Sequence, residues 1–119
     1  MTESPIRIVR DAVTRDELAR IAEHQFGDMV KGVVDVVRRM MAIGAELHAD
    51  EEAALLEAGS IQRDLWGINL YPAETGDGFI EYDSMINVRP SQGNRSRGVE
   101  DEALRARIRQ VIHQLVSDA

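Results

Sequence analysis

The sequence predicts an α+β fold, a single domain with a mixed or antiparallel sheet of four to five strands and about three helices, in the order β-α-β-β-α-β-β-α. Three observations carry that reading. A capped amphipathic stretch opens at Thr14, and a second apolar stripe of helical period closes the chain. Between them lie runs of strand-forming residues separated by turn formers. A chain of 119 residues buries roughly two thirds of its unfolded surface, enough for one core. Residues 1–119 are therefore read as one domain, with residues 1–5 as a disordered tail.

Ile6 to Arg10 alternates apolar and basic residues and reads as a short strand. Thr14 and Glu17 then form a capping box flanked by Val13 and Leu18, and Leu18, Ile21 and Ala22 continue the stripe of a first helix until Phe26-Gly27. Asp28 to Gly44 fits two patterns. Val30, Val33, Val34, Val37, Met40 and Met41 recur at helical spacing, yet the β-branched density and Gly32 favour a hairpin over a single buried helix. Asp50 to Gly59 reads as a short helix capped by Asp50, with Glu51 and Glu52 at its positive end. Asp64–Tyr71 and Phe79–Val88, separated by the turn formers of 72–78, read as a central antiparallel pair. Leu104, Ile108, Val111, Ile112, Leu115 and Val116 mark the last helix, and the helices are expected on one face of the sheet.

Composition removes several function classes. A formal charge of −7 disfavours general nucleic-acid binding, which depends on clustered cations releasing counterions. With no cysteine there are no disulfides, thiolate nucleophiles or sulfur metal ligands. No apolar run is long enough for a membrane span, and the first five residues carry no secretory pattern, so the expected location is the cytoplasm. Lys31 is the one lysine beside thirteen arginines, so most cations are planar forks suited to bidentate contacts.

The stretch Asn87 to Gly98 holds three of those arginines with two asparagines, two serines, two glycines and a glutamine. Guanidinium forks fit phosphate or carboxylate, and glycine lets backbone amides turn toward an anion, so the segment reads as an anion clamp built from Arg89, Arg95 and Arg97 with Asn87, Gln92 and Asn94. Glu100, Asp101 and Glu102 follow directly and compete as local ion-pair partners.

Strand alternation puts Glu81, Asp83 and Asn87 on one sheet face, joined by Asn69 from the partner strand, as a floor leading into that loop. Phe79 and Met85 share the face and suggest partial cover, although a wet face is the ordinary reading of such alternation. His48 and Asp50, with Glu46 nearby, are the weak metal candidates, because imidazole plus carboxylate can hold zinc or relay a proton while real sites need three or four ligands. No serine lies in a nucleophile elbow, and no glycine spacing matches a nucleotide-binding loop. Trp66, Tyr71 and Tyr82 read as core or interface aromatics.

Four blocks, Phe26 to Lys31, Glu46 to Glu52, Asp64 to Pro72 and Asp83 to Ser96, make the chain similar over almost its whole length to a family of small bacterial proteins known as a domain of unknown function. The resemblance implies a free-standing domain and assigns no activity, cofactor or catalytic residue. Similar proteins carry an Asp-Val-Glu-Lys-Gly run where this chain has Asp35-Val36-Val37-Arg38-Arg39, so the glycine suited to a tight hairpin turn is missing.

Three functions follow as expectations. The first is a binding domain for an anionic small molecule, held by the arginine loop over Asn69, Glu81 and Asp83. The second is a metal-assisted hydrolase using Glu81, Asp83 or His48 and Asp50. The third is an interaction or homo-oligomeric module whose arginine loop docks an acidic surface, with Phe79 and Met85 in the contact.

Overall fold

The structure, a computed structural model, describes residues 6–118. The expected disordered tail at residues 1–5 lies outside them. Ten elements follow in chain order: β1 (Arg7–Val9), β2 (Val13–Thr14), α1 (Arg15–Glu23), β3 (Val30–Asp35), β4 (Met40–Ile43), α2 (His48–Glu57), β5 (Leu65–Leu70), β6 (Ile80–Glu81), α3 (Glu102–Leu115) and β7 (Val116–Ser117). β1, β4, β3, β5 and β6 form an antiparallel five-stranded sheet in that spatial order, while β2 and β7 pair in parallel and tie the two ends of the domain together.

The capping box forms as the sequence requires: Glu17 N donates to Thr14 Oγ1 at 3.0 Å and Thr14 N to Glu17 Oε1 at 3.0 Å. Residues 28–44 form a hairpin without the turn glycine. Asp35 supplies the missing order by accepting from Val37 N at 2.9 Å and Arg38 N at 2.8 Å, and from the Ser60 hydroxyl at 2.7 Å. Arg39 completes the turn at φ 57°, the one non-glycine with positive φ among the described residues.

Three expectations need correction. The helices cover both faces of the sheet, not one. Leu18, Ala22, Ile108, Val111, Ile112 and Leu115 of α1 and α3 pack against Val9, Val30, Val34, Met41, Trp66 and Ile68. On the opposite face Leu55 of α2 packs with Val33, Met40, Ala42 and Leu65. The strand expected over Phe79–Val88 ends at Glu81, because Ser84 caps a 3-10 turn at Met85–Asn87 by accepting from Ile86 N at 3.3 Å. Side-chain alternation therefore stops there. Finally, α2 begins at His48 behind an extended Leu47, so Asp50 is not its N-cap but a first-turn acid.

Phe79 also belongs elsewhere than expected. It is 1% exposed in the first core, with the Arg15 guanidinium 4.0 Å above its ring, while Met85 stays 64% exposed.

Candidate functional site

The arginine loop is organised around two buried asparagines. Asn87 Oδ1 accepts from Gly67 N at 2.8 Å, and its Nδ2 donates to Gly67 O and Arg97 O, both at 3.0 Å. Asn94 Nδ2 donates to Asn87 O, Ser96 O and Gly98 O at 2.7–3.1 Å, and its Oδ1 accepts from Glu100 N at 2.9 Å. These side chains replace a strand ladder, which is why the loop holds shape without regular structure.

Its cations do not share one concavity. Arg89 points into the protein, 4.5 Å over the Trp66 ring, with its nitrogens committed to the carbonyls of Ile86, Gln62 and Leu65 and to Gln92 Oε1. Arg97 Nε donates to Asp83 Oδ1 at 2.6 Å on the exposed surface. The backbone amides of Arg95 and Ser96 both donate, at 2.9 Å, to one oxygen of Glu100. That carboxylate is held below its usual range by those amides and by the Ser96 side chain. The anion in the loop's amide cradle is thus the chain's own.

A second group of expected residues does come together. Lys31, Asn69 and Glu81 face one another across β3, β5 and β6. Asn69 Nδ2 donates to Glu81 Oε1 at 2.9 Å and Asp83 O at 3.3 Å, Tyr71 Oη donates to Glu81 Oε1 at 3.0 Å, and Asp83 continues the row to Arg97. His48 borders it, donating through Nε2 to Ile68 O at 2.9 Å, and burial lowers its pKa. Asp50 is exposed and makes no side-chain hydrogen bond among the described residues.

Sequence reasoning missed the acid beside them. Glu51 is 0% exposed, its Oε2 accepts from Ala45 N at 3.0 Å, and its Oε1 is buried without a partner. Burial pushes its pKa up to about 9 against the opposing pull of the Ala45 amide and Lys31. Asn69 Oδ1 is a second buried acceptor without a partner. No group of three or more His, Asp or Glu side chains among the described residues is arranged to hold a metal ion, so His48 and Asp50 gain no further ligands.

Three concavities flank α3. One, of about 300 Å³, lies between residues 92–94 and the helix and is lined by Arg63, Trp66, Gln92, Asn94, Leu104 and Arg107, with Val36 also in its wall. Gln92 Nε2 donates to Arg63 O at 3.2 Å, fastening loop to wall. The Arg63 guanidinium makes no hydrogen bond or ion pair among the described residues, and Arg107 makes one long bond, 3.5 Å, to Val36 O. Another groove of about 270 Å³ runs along the opposite flank past Tyr82, Arg105, Arg109 and His113. Arg107 carried one sequence signal, its place on the polar side of the last helix, and Arg63 carried none.

The fold and these surfaces define an α+β domain whose sheet is covered on both faces and whose long polar loop leads into the last helix. The chain belongs to the family described as protein of unknown function (DUF5674), whose model matches residues 7–115. No curated protein and no solved structure matches it. No helix of the described residues is long and apolar enough to cross a membrane.

Proposed function

We propose that this domain binds a small phosphate- or carboxylate-bearing ligand in the groove between the arginine loop and α3. The observation that carries the reading is a concavity of about 300 Å³ bordered by two guanidiniums, Arg63 and Arg107, neither of them in an ion pair among the described residues. Two acids, Asp64 and Asp101, also line the rim, Asp101 while accepting from the amides of Ala103 and Leu104, so the hold on an anion rests on the geometry of the guanidinium forks and not on a local excess of cations.

In this reading the loop supplies walls rather than charges. Gln92 and Asn94 shape the groove, Arg89 fixes Trp66 beneath it, and Asn69, Glu81, Asp83 and Asn87 hold the loop's far end to the sheet. Arg95 and Arg97 lie outside it.

The test is a thermal shift with pyrophosphate. A ligand at one hundred times its dissociation constant adds about 2.7 kcal/mol to stability. Arg63→Ala and Arg107→Ala should each remove the shift, and Arg95→Ala should leave it intact. Loss of the shift in Arg95→Ala alone would return the site to the loop's outer surface and end this reading.

A second reading, docking of an acidic partner or self-association through the loop, is favoured by Met85, 64% exposed beside that charged surface. Light scattering across concentration checks the self-associating form. A constant monomer mass would dismiss it.

A further inference from the structure

We infer that the ligand is elongated, carrying anionic groups at separated points, and that it spans two adjoining grooves instead of filling one. This deepens the reading above and rests on its placement of the anion beside Arg107.

The groove at residues 92–94 has a neighbour on the far side of Arg107. Val36 and Arg107 also line a further groove of about 250 Å³, whose other walls are Val37, Arg39, Gln110 and Val111. The two concavities therefore meet side by side along one flank of α3. Their helix residues run from Asp101 through Leu104 and Arg107 to Val111, and at 1.5 Å per residue that stretch is about 15 Å long. A single phosphate occupies only part of it.

Charge is distributed to match. Arg63 lines the first groove, Arg107 both and Arg39 the second, so three arginines are spaced along the two adjoining grooves. The second groove has no acid in its lining. Arg39 donates through Nη1 to Gln114 Oε1 at 3.1 Å, a neutral partner that leaves its charge uncompensated. Gln110 adds an amide to the same wall, and exposed Val37 gives that groove one apolar side. Compact anions would touch one or two guanidiniums, whereas a linear chain of phosphates or a long dicarboxylate would touch all three.

The position of Arg39 supports its assignment. It holds the left-handed turn between β3 and β4 at φ 57°, so its guanidinium is delivered to the second groove by a backbone that Asp35 fixes on the other side of the turn.

Calorimetric titration with orthophosphate, pyrophosphate, tripolyphosphate and a longer linear polyphosphate tests this, together with dicarboxylates of graded length. Affinity should rise with length in at least one series, by about tenfold once the third guanidinium is reached. Arg39→Gln, which removes the charge and keeps a linear polar side chain on the same backbone, should cancel that gain while leaving pyrophosphate affinity unchanged, and Arg63→Gln should weaken every member. Circular dichroism of each variant verifies the fold. Binding of short anions with no gain on lengthening, or a gain that survives Arg39→Gln, would overturn the elongated ligand and leave the compact-anion reading standing. If only long anions bind, the inference holds and the compact reading is replaced. If none binds, both fall.

Discussion

The two faces of the sheet solve the same burial problem with different chemistry. The face under α1 and α3 is closed by aliphatic and aromatic side chains, Leu18, Trp66, Ile108 and Ile112 among them. The face under α2 has a small apolar centre at Val33, Met40, Ala42, Leu55 and Leu65, and around it lie buried Asp35, Glu51, Asn69, Ser84 and Asn87. An apolar face tolerates loss of a methyl because its neighbours relax. A hydrogen-bonded one is unforgiving, since each deletion strands backbone groups away from water. Specification of the arginine loop therefore comes from the polar face, while the groove between that loop and α3 takes Val36, Trp66 and Leu104 from the apolar one.

The largest effect should fall on Asn87. Truncation to alanine strands the N–H and C=O of Gly67 and the carbonyl of Arg97, three groups at 1–3 kcal/mol each, so Asn87→Ala should cost about 4 kcal/mol in urea unfolding. Ile112→Val, which removes one methylene from the other face, should cost about 1 kcal/mol. Equal costs would break the contrast between the faces.

Glu51 sharpens it through pH. Its carboxyl titrates near 4.5 when unfolded and at about 9 when folded, so the neutral form stabilises the fold fully below 4.5 and that contribution is lost as pH rises toward 9. His48 has the opposite sign: its folded pKa is lowered, so its contribution is present above 6.5 and lost as pH falls. Between pH 6.5 and 9 the Glu51 slope stands alone among the buried groups near α2, and stability should drop by about 3 kcal/mol. Glu51→Gln should flatten that slope and be the more stable form at pH 8. An unchanged slope would show that Glu51 is not the buried acid responsible.

Most of the fold was legible and much of the site was not, for one physical reason. Period and capping locate helices because those signals are local: Thr14 and Glu17 sit three residues apart, and the stripe from Leu104 to Leu115 repeats within one element, although Val116, expected to continue it, opens β7 instead. Commitment of a polar side chain is not local. Arg89 reads as a free cation until Trp66, Gln62 and Leu65 are seen beneath it, more than twenty residues upstream. Asn69 and Glu51 look solvent-facing because an alternating strand or a helix start is ordinarily wet, and α2 covering that face carries no short-range mark. Arg63, standing in a plain Gln-Arg-Asp turn, offered nothing to single it out.

Gly67 tests how tightly the loop seats on the polar face. A Cβ placed there would lie 2.5 Å from Ser84 Cβ and 2.6 Å from its hydroxyl, and Ser84 is 1% exposed, so neither side has room to yield. Gly67→Ala should cost about 2 kcal/mol through overpacking. Gly32, on the apolar face, would place its Cβ 3.1 Å from the end of the Ile68 side chain, which can turn, so Gly32→Ala should cost less. The reverse order would mean the loop is softer than the aliphatic core.

The smallest effect belongs to the turn where β3 passes into β4. Arg39 occupies φ 57°, a region that costs an L-residue with a Cβ roughly 1 kcal/mol and costs glycine almost nothing. Asp35 offsets that strain by holding the amides of Val37 and Arg38. Arg39→Gly should therefore raise unfolding stability by about 1 kcal/mol, less whatever glycine adds to the freedom of the unfolded chain. It should do so while removing the guanidinium from the second groove along α3. A variant that gains stability and loses affinity for long anions would separate folding from binding at one residue, and a variant that gains neither would mean Arg39 sits unstrained and keeps its place for the hydrogen bond to Gln114 alone.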